Sequence, residues 1–304
     1  MSVFLVAGLL VVGGAWNVSL AQSDFDAADF PAPRPAIWLI EDEDSKIWLF
    51  GTIHLLPPDV PWRSELVDAA FAASGTVYFE TPDPSREMIQ NFIREHGANP
   101  PSVRLTSLLS EDGRASLGRV AEMFEIAVED MQRMRPWVAW ILLNSLYLQN
   151  LDIDLAPGAD RVLEQEAISN SKDVKYLESA VQQFETMAGM SAAAEIALLE
   201  DTLRDIEDEP DEYVEIFSDW LAGDLGAAQS RLQADFSSLP EEVRERLLLR
   251  RNRAWVAQIG KILAGSGTVF IAVGAAHLEG AESVIELLAA GGIEALRQVA
   301  GRAR

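Results

Sequence analysis

Residues Thr268–His277 read TVFIAVGAAH, an apolar and β-branched run that ends in a glycine, with a histidine three residues later. Such a run is typical of a buried strand, and the glycine marks the point where the strand ends. The segment Lys46–His54 follows the same pattern near the start of the chain, where it reads KIWLFGTIH. Because the two strands lie near opposite ends of the chain, they predict a sheet that is built from both ends.

The segments around these strands extend the same sheet. Residues 36–40 and 46–50 are short aromatic and β-branched runs joined by an acidic stretch, which predicts a hairpin. Residues 75–79 predict a third strand, which ends at Glu80, and apolar residues at helical spacing predict a helix over 64–74.

The middle of the chain, about residues 85–263, has an overwhelmingly helical pattern, with one candidate strand at 173–177. A helix over 278–290 and a last strand within 293–299 complete the pattern. We therefore predict the α+β class, with α/β-like features: a central mixed sheet formed from both ends of the chain, with a large helical insertion.

Composition excludes several classes of function. The chain has 304 residues, with 48 Asp and Glu against 24 Lys and Arg, for a net charge of −24. This charge repels phosphate and argues against a nucleic-acid partner. Cysteine is absent, so thiol catalysis, thiolate metal sites and disulfides are excluded. Any histidine chemistry must come from His54, His96 and His277.

The first residues predict export. Residues 3–12 are almost wholly apolar but too short to cross a bilayer, and small residues at Ser19 and Ala21 suit signal peptidase. We predict a signal peptide over 1–21, a flexible linker over 22–35 and a single domain over 36–304, with no membrane-spanning segment in the mature chain. The protein would be periplasmic or secreted, or tethered to the membrane if residues 1–21 are an uncleaved anchor.

Three side chains predict a metal site. His54 and His277 each end a Gly-x-x-His motif after a strand, and Glu80 also follows a strand. Open sheets place their ligand crevices beyond the carboxyl ends of strands. Two imidazoles and a carboxylate suit Zn²⁺, Mn²⁺, Co²⁺ or Fe²⁺. The alternative is that both histidines are hydrogen-bonded core residues and Glu80 is a paired acid. His96 precedes Gly97 at a predicted helix end, where we expect a structural role.

The motifs also resemble a known family. Residues 48–55 (WLFGTIHL), 78–81 (YFET) and 273–280 (VGAAHLEG) resemble the TraB/GumN family, which includes the Tiki-type metalloproteases. The resemblance implies a fold shared with erythromycin-esterase-like and ChaN-like proteins. It also implies that His54, Glu80 and His277 are the metal-site or catalytic residues. Other positions that match the family and line its cleft are Asp160, Glu178, Arg251 and Asn252.

The leading hypothesis from the sequence is an exported, metal-dependent hydrolase that acts on a peptide or protein substrate. A bound Mn²⁺, Co²⁺ or Zn²⁺ would activate water, with Arg251 as the group that stabilises an oxyanion. Glu80 could serve instead as the general base. The first alternative is a non-catalytic protein that binds a peptide, a metal or haem in the same cleft. A second alternative is an interaction module built on the acidic helical region.

Overall fold

The computed structural model describes residues 32–58, 60–151, 155–208, 212–226 and 239–299. The predicted signal peptide over 1–21 lies outside the described residues, as does most of the predicted linker over 22–35. Among the helices in the described ranges, none is both long and apolar enough to cross a bilayer.

A mixed six-stranded sheet organises the fold, and the predicted α+β class is confirmed. The strand order is β6-β4-β7-β2-β1-β8, and a separate two-stranded ladder pairs β3 with β5. The strands are β1 (Ile37–Glu41), β2 (Ser45–Thr52), β3 (Leu55–Leu56), β4 (Thr76–Phe79), β5 (Ala156–Pro157), β6 (Asp173–Tyr176), β7 (Gly267–Gly274) and β8 (Leu296–Gln298).

Strand direction divides the sheet into a parallel part and an antiparallel edge. β6, β4, β7 and β2 run parallel, whereas β1 is antiparallel to both β2 and β8. The predicted hairpin is confirmed by the pairing of Ile37 with Phe50 in β1 and β2. The last five residues of β7 are all buried, as expected for a strand in the middle of a parallel sheet.

Helices cover the sheet and make up most of the region between β4 and β7. The described helices are α1 (Glu65–Ala73), α2 (Arg86–His96), α3 (Leu105–Leu108), α4 (Glu111–Met123), α5 (Val128–Met131), α6 (Pro136–Gln149), α7 (Ala159–Ser169), α8 (Ala180–Ala188), α9 (Ala192–Asp208), α10 (Glu212–Ala222), α11 (Glu241–Arg244), α12 (Arg250–Leu263) and α13 (Val284–Ala290). A π-helical turn, Glu245–Leu249, joins α11 to α12, and a 3₁₀ turn, Ala275–His277, follows β7.

The α6 helix shows how the helical region is packed. Pro136 occupies its first turn, where the missing N–H costs no hydrogen bond. The helix is apolar on nearly every face, and such helices are buried. Its Trp137 and Trp140 are fully buried, and Trp140 Nε1 donates to Thr202 Oγ1 of α9 at 2.9 Å. The buried residues of the helical insertion and those of the sheet form one continuous hydrophobic core.

Two local predictions need correction. The helix expected over 278–290 begins only at Val284, because Gly280 adopts a left-handed φ of 96° and Ser283 caps the helix. The insertion also contributes β6 to the edge of the main sheet, so the sheet is not made from the ends of the chain alone.

Candidate active site

Three adjacent strands bring the candidate residues together. β2, β7 and β4 are parallel neighbours, so their carboxyl ends meet at one edge of the sheet. His54 follows β2, Glu80 follows β4 and His277 follows β7. A Cβ atom placed on Gly274 would lie 3.1 Å from Glu80 Oε1, 3.6 Å from His54 Nε2 and 3.7 Å from His277 Cδ2. The three predicted side chains thus surround a single glycine.

Glu80 is held by hydrogen bonds on both of its oxygen atoms. Arg251 of α12 donates from NH2 to Glu80 Oε2 at 2.6 Å, and the Gly274 backbone N–H donates to Oε1 at the same distance. Arg251 also donates from Nε to Glu178 Oε1 at 2.7 Å. Because all three side chains are about nine-tenths buried or more, this charged network lies inside the protein rather than on its surface.

His277 is buried with both ring nitrogens engaged. Nδ1 lies 2.6 Å from Asn252 Oδ1, and Asn252 Nδ2 donates to the Glu282 carbonyl, which sets the orientation of the amide. Nδ1 therefore carries the proton, and Nε2 accepts from Arg251 NH1 at 3.0 Å. The Trp255 ring packs against the imidazole, with 4.4 Å between the ring centroids.

His54 has a different partner, supplied by the start of α7. Its Nδ1 lies 3.0 Å from Asp160 Oδ2, so Nδ1 donates to the carboxylate and Nε2 points towards Gly274. Asp160 Oδ1 is buried and has no hydrogen-bond partner among the described residues. The pair resembles the carboxylate–histidine arrangement that orients metal-binding imidazoles.

Gly158 explains why the Asp160 segment can reach the His54 loop. Its N–H donates to the His54 carbonyl at 2.8 Å, and a Cβ atom on Gly158 would lie 2.1 Å from the Ile53 carbonyl oxygen. No side chain fits at that distance. The glycine is therefore required for close approach of two backbones, not for an unusual backbone angle, since its φ is −70°.

The two glycines of the Gly-x-x-His motifs also matter because they lack a side chain, and not because they adopt an unusual backbone angle. Gly51 lies within β2 and Gly274 ends β7 with a φ of −51°, so neither has a left-handed φ. Gly274 instead lets Glu80 and His54 approach the strand end.

The two histidines have pKa values that are shifted in opposite directions. Burial lowers the pKa of His54, but the Asp160 carboxylate and its hydrogen bond outweigh burial, so the pKa of His54 is raised above its ordinary value. Burial and the nearby positive charge of Arg251 lower the pKa of His277 to about 3. His277 is therefore neutral at physiological pH, whereas His54 takes up a proton more readily than a free imidazole.

Glu80 stays ionised although it is buried. Burial alone would raise its pKa, but the Arg251 guanidinium, the two imidazoles and the Gly274 N–H hold the pKa of Glu80 well below its usual range. A carboxylate of this kind is a poor general base, because it gives up a proton too easily to take one from water at neutral pH. It is better suited to remain a fixed negative charge.

The donor types fit a divalent metal ion, but the arrangement does not leave all of the donors free. Among the described residues, no group of three His, Asp or Glu side chains is arranged to hold a metal ion as it stands. Arg251 donates to both His277 Nε2 and Glu80 Oε2, so its guanidinium occupies two of the atoms that a shared metal ion would need. A metal ion could therefore be shared by His54, Glu80 and His277 only after Arg251 releases His277.

His96 lies apart from this site. It ends α2, with Gly97 as the C-cap residue, and its ring packs on Phe92 with 4.5 Å between the centroids. Its side chain is 42% exposed. This position agrees with the structural role expected for a histidine at a helix end.

The sequence alone does not identify the residues that contact His54, Glu80 and His277. Asp160, Glu178 and Asn252 are predicted only as positions that match the family, without roles, and the contact of Trp255 with His277 is not predicted at all. One usable signal is the spacing Arg251-Asn252…Trp255, which places Trp255 one helical turn from both Arg251 and Asn252. Nothing in the local sequence indicates which histidine each of these residues contacts.

Comparisons with known proteins support the resemblance. The sequence profile of the TraB/PrgY/gumN family matches residues 36–297. The chain is also 25% identical over 357 residues to a protein from Xenopus tropicalis named Metalloprotease TIKI1, and the alignment covers 99% of this chain and 69% of that relative. No solved structure gives a significant match.

Proposed function

The chain belongs to the TraB/PrgY/gumN family, and from that premise we propose that it is an exported, metal-dependent hydrolase that cleaves peptide bonds. The observation that carries the proposal is the convergence of His54, Glu80 and His277 around Gly274, at the carboxyl ends of three parallel strands. The similarity to a protein named as a metalloprotease supports the choice of reaction.

His54, Glu80 and His277 would hold the metal ion. A divalent ion bound there supplies a Lewis acid that lowers the pKa of a bound water molecule and polarises a carbonyl group. The Nδ1 atoms of both histidines face oxygen acceptors, so ligation would use the Nε2 atoms, and His277 Nε2 becomes available only when Arg251 releases it. Neutral His277 and ionised Glu80 already have the protonation states that metal ligation requires, whereas the raised pKa of His54 makes protons compete with a metal ion there more strongly than at a free imidazole.

Arg251 has two roles in this proposal. Its Nε and NH2 groups hold Glu178 and Glu80, so the guanidinium fixes the position of the Glu80 carboxylate. Its NH1 group donates to His277, a neutral partner, and this is the contact that is given up most easily. Once released, NH1 is the donor available to the negative charge that develops on a substrate carbonyl oxygen.

Metal content and turnover test the proposal together. Protein purified without chelators or a histidine tag is analysed for Mn, Co and Zn, and then assayed on a peptide library with and without each ion. We expect His54→Ala, Glu80→Gln and His277→Gln to weaken metal binding by at least about tenfold and to abolish turnover. Circular dichroism establishes that each variant is folded.

His96→Ala is the matched control, because it removes the remaining histidine of the chain without touching the site. It should keep full metal content and activity. Wild-type protein that binds none of the three ions and cleaves no peptide in their presence would contradict the proposal. Metal binding without turnover would point instead to a non-catalytic protein that uses the same cleft.

Export is the part of the proposal that rests on residues 1–21. Because small residues at Ser19 and Ala21 suit signal peptidase, we expect the mature protein to begin near Gln22. N-terminal sequencing of protein from native cells measures this directly. Protein that retains Met1 would contradict cleavage and favour a membrane anchor.

A further inference from the structure

A cavity of about 280 Å³ lies next to the candidate active site. One wall comes from α8 and the residues just before it, and the other comes from the π-helical turn and α12. The side chains that matter to the argument are Glu178, Glu185, Arg246, Arg250, Arg251 and Trp255.

Two side chains connect the cavity to the site. Arg251 lines the cavity and also donates to Glu80 and His277. Trp255 lines it as well, with its ring 4.8 Å from the Arg251 guanidinium carbon and 4.4 Å from the His277 ring. A group bound in the cavity is therefore separated from Glu80 and His277 by a single side chain.

The charge of the cavity is opposite to that of the whole protein. Three guanidinium groups line it, against two carboxylates, in a chain whose net charge is −24. Of the two carboxylates, Glu178 is already hydrogen-bonded to Arg251, and burial raises its pKa in spite of that charge. Glu185 lies on the exposed side of α8.

The arginines differ in how far they are already neutralised. Arg251 is paired with Glu80 and Glu178, and Arg246 Nε lies 3.2 Å from Glu242 Oε1. Arg250 is exposed, and among the described residues it forms no ion pair. Among the described residues that line the cavity, it is the cation whose charge is free for a ligand.

The π-helical turn puts these arginines on one side of the helix. The Arg250 N–H donates to the Glu245 carbonyl, five residues earlier, which widens the helix locally. In this turn a residue faces the residue five positions on, so Arg246 and Arg251 share a side, and Arg250 lies beside them. Such turns are uncommon and often occur at functional sites.

We propose that this cavity is a subsite for a carboxylate of the substrate, either an acidic side chain or a free C-terminal carboxylate close to the bond that is cleaved. The role in cleavage rests on the proposed function. The binding of a carboxylate does not, because the cavity and its charge exist in the chain without any reaction.

Three small probes test the inference by NMR titration of the isotope-labelled protein. N-acetylglutamate α-amide carries only a side-chain carboxylate, N-acetylglutamine carries only a C-terminal carboxylate, and N-acetylglutamine amide carries neither. We expect at least one acidic probe to bind about tenfold more tightly than the neutral probe, as a charge-assisted hydrogen bond predicts. The tighter of the two acidic probes identifies the source of the carboxylate.

Arg250→Gln should remove this preference, since it deletes the free charge and, at an exposed position, leaves the fold intact. Arg253→Gln is the matched control: Arg253 is on the same helix, half exposed and paired with Glu245, but it does not line the cavity. The preference should survive this change. Equal binding of all three probes to the wild type, or equal losses in the two variants, would overturn the inference.

The two proposals fail in different ways. A protein that prefers the acidic probes through Arg250 but cleaves no peptide with any added metal ion retains the carboxylate subsite and loses the hydrolase. A protein that cleaves acidic and neutral peptides equally well and shows no preference among the probes retains the hydrolase and loses the subsite.

Discussion

The two Gly-x-x-His motifs, Gly51–His54 and Gly274–His277, are alike in sequence and opposite in electrostatic surroundings. Both follow parallel strands that pair directly with each other, with Thr52 opposite Gly274. His54 contacts a carboxylate, and its side chain is 14% exposed, whereas His277 contacts a guanidinium and is 3% exposed. One imidazole therefore has a raised pKa and the other a strongly lowered pKa.

The difference shows that a motif specifies where a side chain lies but not its charge. The strand and glycine place each histidine at the same edge of the sheet. Burial lowers the pKa of both histidines, but Asp160 raises the pKa of His54, whereas Arg251 lowers that of His277 further. Two motifs of the same Gly-x-x-His pattern can therefore supply imidazoles with very different pKa values to a single site.

The largest change in stability is expected when the positive charge beside His277 is removed. Arg251→Met leaves Glu80 and Glu178 buried without their partner, which destabilises a protein by about 3–5 kcal/mol. The pKa of His277 should rise, because a nearby positive charge is lost. Urea denaturation measures the first effect and NMR titration the second.

Arg253→Met serves as the control on the same helix, since its side chain is 48% exposed and its loss should change stability by less than about 0.5 kcal/mol. If Arg251→Met proves as stable as this control, the buried network around Glu80 does not stabilise the fold, and the contrast between the two histidines must have another cause.

A smaller effect is expected at the loop that carries His54. Gly158→Ala places a Cβ atom 2.1 Å from the Ile53 carbonyl oxygen, and such overpacking costs about 1–3 kcal/mol. Gly118→Ala, in the exposed middle of α4 with open space around the new Cβ atom, should instead stabilise the protein by about 0.5–1 kcal/mol. Thermal unfolding of both variants compares them, and changes of the same sign would contradict the close contact.

The pH dependence of the two histidines should have opposite signs. The pKa of His54 is raised, so its contribution to stability is full below about pH 6.5 and is lost as the pH rises through its folded pKa. His277 has a folded pKa of about 3, so its contribution is full above about pH 6.5 and is lost as the pH falls towards 3.

Histidine NMR signals followed as a function of pH measure this contrast: His54 should titrate at a higher pH than a free imidazole, and the His277 signal should stay constant from pH 8 to 5. Asp160→Asn removes the carboxylate charge and should lower the pKa of His54 while leaving His277 unchanged. A variant in which both histidines titrate as in the wild type would show that Asp160 is not the cause of the raised pKa.

The smallest change in stability is expected at His96, which belongs to neither Gly-x-x-His motif. His96→Ala removes a half-exposed side chain at the end of α2 and should cost less than about 1 kcal/mol in the free energy of unfolding. Chemical denaturation measures it. A loss as large as that of Arg251→Met would mean that the contact with Phe92 matters more than its exposure indicates.

Much of the fold follows from local patterns in the chain. The β1–β2 hairpin and the strand β7 lie within a few residues of their predicted positions. The helix predicted to start at residue 278 does not, since its apolar spacing continues through a turn that Gly280 and Ser283 terminate. Apolar periodicity reports burial, and a buried turn can carry the same pattern as a buried helix.

For the site, the sequence by itself determined that His54, Glu80 and His277 each follow a strand, because the apolar runs and glycines before them are local features. Only the tertiary structure decided what surrounds them. Asp160 is 106 residues from His54 and Arg251 is 171 residues from Glu80, so no local pattern relates these pairs. The charge of a buried group depends on the charges and hydrogen bonds within a few ångströms of it, and those neighbours meet only when the chain is folded.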